Sequence, residues 1–263
     1  MHGINPNDPG NIIDWGKTSA DYAVYRNGQP DSFFERMRAM NIGLRDQVML
    51  DLGTGTGALA RRYAQRGAAV SGIDPSEGQI EAAKKLAQAE RLNIDFRVGV
   101  AESLPFDSHS FDVVTANQCW LYFDANAAIR QVKWALKDGG LLVTSHCSWL
   151  PVAGSVAQKT EALVLAHNPN WTAAGWDGFI PPMPYWAEGE FRLRGMFYYD
   201  EEIPFTHDSW RGRIRACRGV GAVMDEGQVE AFDAAHAQML KDENVPESFG
   251  VLHRIDAHIL EPL

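Results

Sequence analysis

One short stretch, VMLDLGTGTGA at residues 48–58, constrains the fold of this chain more than any other. Val48, Met49, Leu50 and Leu52 read as a buried strand, Asp51 stands at its end, and a helix is expected from about Thr56. Gly53, Gly55 and Gly57 let the intervening backbone turn sharply and approach a ligand more closely than any residue with a Cβ would permit. Free amides at the helix N-terminus add a positive dipole end. A compact, polar, partly anionic ligand suits such a turn, and two cofactor classes use it. Gly53, Gly55 and Ala58 satisfy the dinucleotide pattern G-x-G-x-x-A. Asp51, two positions before the first glycine, would instead repel a pyrophosphate and could accept a hydrogen bond from an ammonium group. Spacing alone leaves both open.

Downstream residues fit one β-α-β step. Leu59 and Tyr63 are helically spaced, Arg66 and Gly67 stop that helix, and the strand at 68–73 delivers Asp74 to its end. Asp74 follows Asp51 by the distance that places a carboxylate beside a ribose, a role common to both cofactor classes. Pro75 fits the first turn of the next helix, whose buried face carries Ile80, Ala83 and Ala87. A third strand is expected at 94–98 and a fourth at 111–116. Asp124 reads as a helix cap, with Ile129, Val132 and Leu136 inward and Gly139-Gly140 ending that helix. A fifth strand opens at Gly139 and finishes at His146.

These residues resemble the class I S-adenosylmethionine-dependent methyltransferases, in their small-molecule branch. Asp51, Gly53, Gly55 and Gly57 match the family's acid plus G-x-G-x-G; Ala101, Glu102, Leu104, Pro105 and Phe106, followed by Phe111 to Val114, match its D-A-E-x-L-P-F and F-D-V-V segments; within Gly139 to Val143, Gly139, Gly140 and Leu142 match the G-G-x-L of its G-G-x-L-x-V. The pair Tyr22 and Arg26 partly matches a Y-x-x-x-R-P segment that lies across the cofactor, with Asn27 in place of proline. The resemblance implies a Rossmann-like α/β fold with a mostly parallel seven-stranded sheet flanked by helices, and S-adenosyl-L-methionine as cofactor. It implies cofactor contacts from Tyr22, Arg26, Asp51, Gly53, Thr54, Gly55, Gly57, Asp74, Pro75, Ser76, Ala101, Glu102, Asn117 and Gln118. Val100 departs from the acid usual before Ala101. Gln118 and Cys119 depart from the [DN]-P-P-[YF] of enzymes that methylate nucleobase or amide nitrogens.

The resemblance covers roughly residues 20–146. Residues 151–189 combine a helix around Val156 and Leu163 with an aromatic, proline-rich stretch, which suggests a semi-rigid lid over an apolar pocket. Trp120, Trp176 and Tyr185 are candidate acceptor contacts, Trp120 also as an aromatic partner for the sulfonium. Trp210, Ile214 and Cys217 form an apolar helical seam flanked by Arg213 and Arg218, with Arg211 and Arg215 further out. Arg213 is a candidate for a substrate carboxylate, although acidic side chains of the protein could equally occupy it. His146, at a strand's carboxyl end, is the candidate general base, with His207 in reserve. His236 reads as a packed core residue.

At 263 residues a single elaborated domain is the simplest expectation: a helical cofactor lid at 1–45, the cofactor-binding core at 46–148, and an aromatic-rich cap with the remaining strands at 149–263. Acidic residues outnumber basic ones by 34 to 24, with no basic tract, which argues against a nucleic-acid partner. No leader and no membrane-length apolar run is evident, so a cytoplasmic protein without a membrane span is expected. Three cysteines without C-x-x-C spacing argue against disulfides and structural metal, and no acidic cluster suggests a catalytic one. The expected function is methyl transfer to a small, largely apolar acceptor by in-line displacement. A protein or RNA methyltransferase, or a non-catalytic S-adenosylmethionine-binding regulator, is the alternative. Oligomeric state and the atom methylated are left open.

Overall fold

The computed structural model describes residues 13–26 and 28–263, so the first twelve residues of the expected lid at 1–45, and Asn27, lie outside it. A 3-10 turn at Trp15–Thr18 leads into helices α1 (Ser19–Tyr25) and α2 (Asp31–Ala39). Strand and helix then alternate as β1 (Val48–Leu52), α3 (Ala58–Gln65), β2 (Ala69–Asp74), α4 (Glu77–Ala89), β3 (Asp95–Val98), β4 (Phe111–Asn117), α5 (Ala125–Ala135) and β5 (Leu136–Trp149). The remaining elements are α6 (Val156–His167), β6 (Phe191–Thr206), α7 (His207–Arg215), α8 (Glu226–Asp242) and β7 (Ser248–Pro262). The strands form one seven-stranded sheet in the order β3-β2-β1-β4-β5-β7-β6, and its five strands from β3 to β5 are parallel.

Parallel neighbours need a crossover, and a parallel strand must be covered on both faces, which is why β1 and β4 are mostly apolar and why the buried Asp51 and Thr115 bond to each other. On one face Met49, Val113, Val143 and Ile255 pack with Phe34, Tyr63 and Ile80. On the other, Leu50, Leu52, Val114, Leu142 and Leu260 pack with Ile129 and Val132 of α5. This sheet core belongs to a compact unit made of Gly28–Cys147, Ile180–Tyr199 and Ile255–Leu263.

A second compact unit comprises, of the described residues, 13–26, 148–179 and 200–254. Its core gathers Trp210, Ile214, Cys217, Trp171 and Phe232. Trp210 Nε1 donates to Thr160 Oγ1 at 3.0 Å, and the same hydroxyl meets His236 Nε2 at 3.2 Å. His236 is fully buried, and burial drops its pKa to about 4. Arg211 and Arg215 do not point outward as the helical wheel suggests. α1 and α8 lie against that face of α7, so Arg215 takes both oxygens of Asp21 at 3.0 Å and Asp233 at 2.7 Å, while Arg211 pairs with Asp233. The Arg215 side chain is 16% exposed, so its loss takes both of these bonds from Asp21 and leaves Asp233 to Arg211. Arg215→Met is expected to cost roughly 1–2 kcal/mol, below the figure for a fully buried pair because water screens part of it; urea denaturation would show it as a lower midpoint at unchanged slope.

Several boundaries differ from the sequence expectations for identifiable reasons. α3 begins at Ala58, because Thr56 and Gly57 are still in the turn and Gly57 is left-handed at φ 75°. Pro75 precedes the first turn of α4, whose cap is Ser76, accepting from Gln79 N–H. α5 stops at Ala135 rather than at Gly139-Gly140, since Leu136 already pairs with Phe111, and the two glycines fall within a β5 that continues to Trp149.

Candidate functional site

β1 runs into a glycine-rich turn at residues 53–57. Gly53, Gly55 and Gly57 have φ of 57°, 56° and 75°, in the left-handed region. A Cβ on Gly53 would lie 2.8 Å from Cys119 Cβ, and one on Gly57 would lie 2.6 Å from Phe96 Cζ. Gly53 and Gly57 are therefore closed to side chains by shape as well as by dihedral.

Two buried carboxylates brace it. Asp51 Oδ2 accepts from Thr54 Oγ1 at 2.6 Å and Oδ1 from Thr115 Oγ1 at 2.7 Å. Asp74 Oδ2 accepts from Gly55 N–H at 3.0 Å and Oδ1 from Ser76 N–H at 2.9 Å, while Thr54 N–H donates to the Ile73 carbonyl at 2.9 Å. Burial pushes Asp51 up to about 6, against the pull of the two threonine hydroxyls and with a contribution from Asp74. Burial also raises Asp74, opposed by the Ser76 and Gly55 amides. Burial first, then the charges of Asp51 and Asp74, raise the Cys119 thiol. The turn is a buried, acid-lined cradle suited to a cation.

β4 delivers the opposite wall. Asn117 Oδ1 accepts from Gln29 Nε2 at 3.0 Å and from Ser145 Oγ at 3.1 Å. Gln118, at φ 59°, donates its N–H to the Ser145 carbonyl at 2.9 Å and its Nε2 to the Cys147 carbonyl at 2.8 Å. Gln29 is 2% exposed, and its Oε1 is buried with no partner among the described residues. A buried amide oxygen left open costs free energy unless a donor meets it, so Gln29 is a candidate ligand contact. Its sequence context, NGQP between two helices, carries no signal of this.

Ala101 is buried, and Glu102 Oε1 accepts from Asp124 N–H at 2.8 Å, tying this segment to the residue that caps α5. Trp120, 5% exposed, stacks on Trp186 at 4.1 Å with Phe123 edge-on at 5.6 Å. The indole N–H of Trp120 has no partner among the described residues. Tyr185 is 87% exposed and its neighbour Trp186 turns inward in its place. On β5, His146 Nδ1 lies 3.1 Å from Asp256 Oδ1 of β7.

The structure thus gathers Asp51, Gly53, Thr54, Gly55, Gly57, Asp74, Ser76, Asn117 and Gln118 around one sheet edge. Tyr22, Arg26, Trp176 and Arg213 belong to the other unit. There Arg26 lies over the Tyr22 ring at 4.7 Å and the buried Arg213 over Trp149 at 5.0 Å. No group of three or more His, Cys, Asp or Glu able to hold a metal occurs among the described residues, and none of their helices is long and apolar enough to cross a membrane.

A family model described as a methyltransferase domain matches residues 50–144. The chain is 31% identical over 147 residues to a ubiquinone biosynthesis O-methyltransferase of Azorhizobium caulinodans, covering 56% of each chain. It is 36% identical over 101 residues to an uncharacterized methyltransferase, YcgJ, of Bacillus subtilis, covering 37% of this chain and 40% of that one. The chain spans about half the length of the curated relatives it matches. The crystal structure of YcgJ superposes with a TM-score of 0.51 at 21% identity, over 84% of this chain and 94% of that one, which establishes the fold. The stretch that is similar to a methyltransferase domain, residues 50–144, contains the glycine turn, Asp51, Asp74 and the parallel strands around them.

Proposed function

We propose that the protein is an S-adenosylmethionine-dependent methyltransferase acting on a small, largely apolar acceptor. The observation that carries this reading is the acid-braced glycine cradle at the end of β1. The residues present fit the cofactor. Gly53 and Gly57 admit only backbone, the buried Gln29 Oε1 awaits a donor such as an ammonium group, and each Asp74 oxygen, already accepting one amide, keeps a second lone pair for a ribose hydroxyl. Ala101 and Glu102 take the adenine edge. When bound, the cofactor supplies a methyl group on a positively charged sulfur.

The protein's part is positioning. Holding the acceptor in line with the methyl removes much of the entropic barrier, and the stacked Trp120 and Trp186 offer an apolar, π-rich wall that favours a nearby cation. The match to a relative named for O-methylation in ubiquinone biosynthesis agrees with an apolar acceptor.

Calorimetry with S-adenosylmethionine and, separately, NADH tests the reading. Micromolar binding of the sulfonium cofactor, weakened about 10- to 100-fold by Asp74→Ala, is expected, as for loss of charge-assisted hydrogen bonds. Binding of NADH alone would overturn it. Tight sulfonium binding with no transfer to any acceptor would instead mark a regulatory binding protein.

A further inference from the structure

His146 and Asp256 are separated by 110 residues and meet at 3.1 Å across β5 and β7. Their burial is unequal: the His146 side chain is 38% exposed and that of Asp256 only 1%. A carboxylate can only accept here, so the bond fixes the imidazole tautomer with its proton on Nδ1, leaving Nε2 as an open base. Asp256 Oδ2 is buried without a partner among the described residues. A structural role alone is a poor reason to bury a carboxylate with one oxygen unserved.

The dyad stands at the functional edge of the sheet. Asn117 pairs with Ser145, the residue before His146, and Gln118 bonds the carbonyls on both sides of His146. Gln118 adjoins Cys119, whose Cβ closes over Gly53. β1, β4 and β5 are consecutive, so His146 lies two strand spacings, about 10 Å, from the glycine turn. The neighbours on the same face of β7 are engaged elsewhere: His258 Nε2 meets the Pro181 carbonyl at 2.8 Å, and Arg254 holds Asp200 and the Gly178 carbonyl.

We propose that His146 and Asp256 form a base dyad for a hydroxyl acceptor, with His146 Nε2 removing the proton and Asp256 as its positioning residue. This rests on the methyltransferase reading and deepens it, because a neutral hydroxyl is a poor nucleophile until a base takes its proton, whereas a neutral amine attacks through its own lone pair. In the step, the acceptor O–H proton passes to Nε2, the oxygen–methyl bond forms, and the sulfur–methyl bond breaks with its electron pair returning to sulfur. The imidazolium then loses its proton to water.

Two measurements test it on the full chain. Nitrogen NMR of the histidine side chains, without acceptor, should show His146 as a single Nδ1–H tautomer that becomes mixed in Asp256→Asn; a mixed tautomer in wild type overturns the dyad. Methylation of a panel of alkyl-substituted phenols of graded acidity should fall at least tenfold in Asp256→Asn and about a hundredfold in His146→Ala for weakly acidic phenols. For nitrophenols already ionised at the assay pH, the loss should shrink to a few-fold. Equal losses across the panel would assign the pair a structural role and overturn the proposal. No methylation of any phenol, with S-adenosylmethionine still bound, would overturn the hydroxyl assignment and leave the cofactor reading standing. Loss of cofactor binding in wild type would bring down the methyltransferase reading itself.

Discussion

At pH 8 and without cofactor, Asp51→Asn should be more stable than wild type while binding S-adenosylmethionine at least tenfold more weakly. Asp51 is 3% exposed, and burial lifts it from 3.8 to about 6. A carboxyl whose folded pKa lies above its unfolded value holds more protons in the native state, so its contribution is fully present below pH 4 and is lost as pH rises through 6. Above pH 7 wild type thus carries a buried charge that costs about 3 kcal/mol, two units at 1.4 each. The amide removes that charge and keeps the turn's hydrogen bonds. Its oxygen accepts from Thr54, and its nitrogen donates to Thr115, whose own proton has the Leu50 carbonyl at 3.4 Å. Thermal scans should show no difference between the two proteins near pH 4 and a gap of about 5–9 °C at pH 8. Cofactor affinity of wild type should rise about tenfold from pH 5 to 7 as Asp51 ionises, and this slope should vanish in the variant. A variant less stable at every pH would mean that the charge itself holds the turn.

That trade also explains why this site was legible in the sequence. Glycine alternation, an acid before it and a second acid one β-α-β step later are local, and local spacing fixes what a strand and the following turn can do. Boundaries were less so. Gly139-Gly140 reads as a helix stop, yet the ladder between Phe111 and Leu136 begins the strand first. Arg211 and Arg215 sit on the polar side of their helix by periodicity, but periodicity does not reveal that Asp21 and Asp233 will be brought against that side. Distant partners are the hardest. Nothing near His146 announces Asp256, and Gln29 looks like an ordinary loop residue until its carboxamide is found buried beside Asn117. The position of a group at a strand's end can be read from pattern, whereas its partner depends on the packing of the whole sheet.

Gly53→Ala should abolish measurable cofactor binding, a loss of more than a hundredfold. Two costs combine. An L-residue at φ 57° pays about 1–2 kcal/mol for the left-handed region. The new methyl would also lie 2.8 Å from Cys119 Cβ and 2.9 Å from its Sγ, distances that must open. Cys119 cannot retreat cheaply, because its Sγ lies 3.1 Å from the Leu52 carbonyl and Gln118 before it is itself left-handed. Relief therefore moves the end of β4 away from the cradle, and Asn117 and Gln118 move with it. Total destabilisation should reach about 2–4 kcal/mol, the range for overpacking added to backbone strain. Gly139→Ala separates the two costs, since Gly139 has φ 74° and no atom of the described residues lies within 4 Å of where its new methyl would stand. It should lose about 1 kcal/mol in denaturant titration, the strain cost alone, and bind the cofactor as wild type does. If Gly53→Ala loses no more stability than Gly139→Ala and still binds, the close approach of Gly53 to Cys119 does not set the shape of the cradle, and the tight turn would then reflect backbone preference alone.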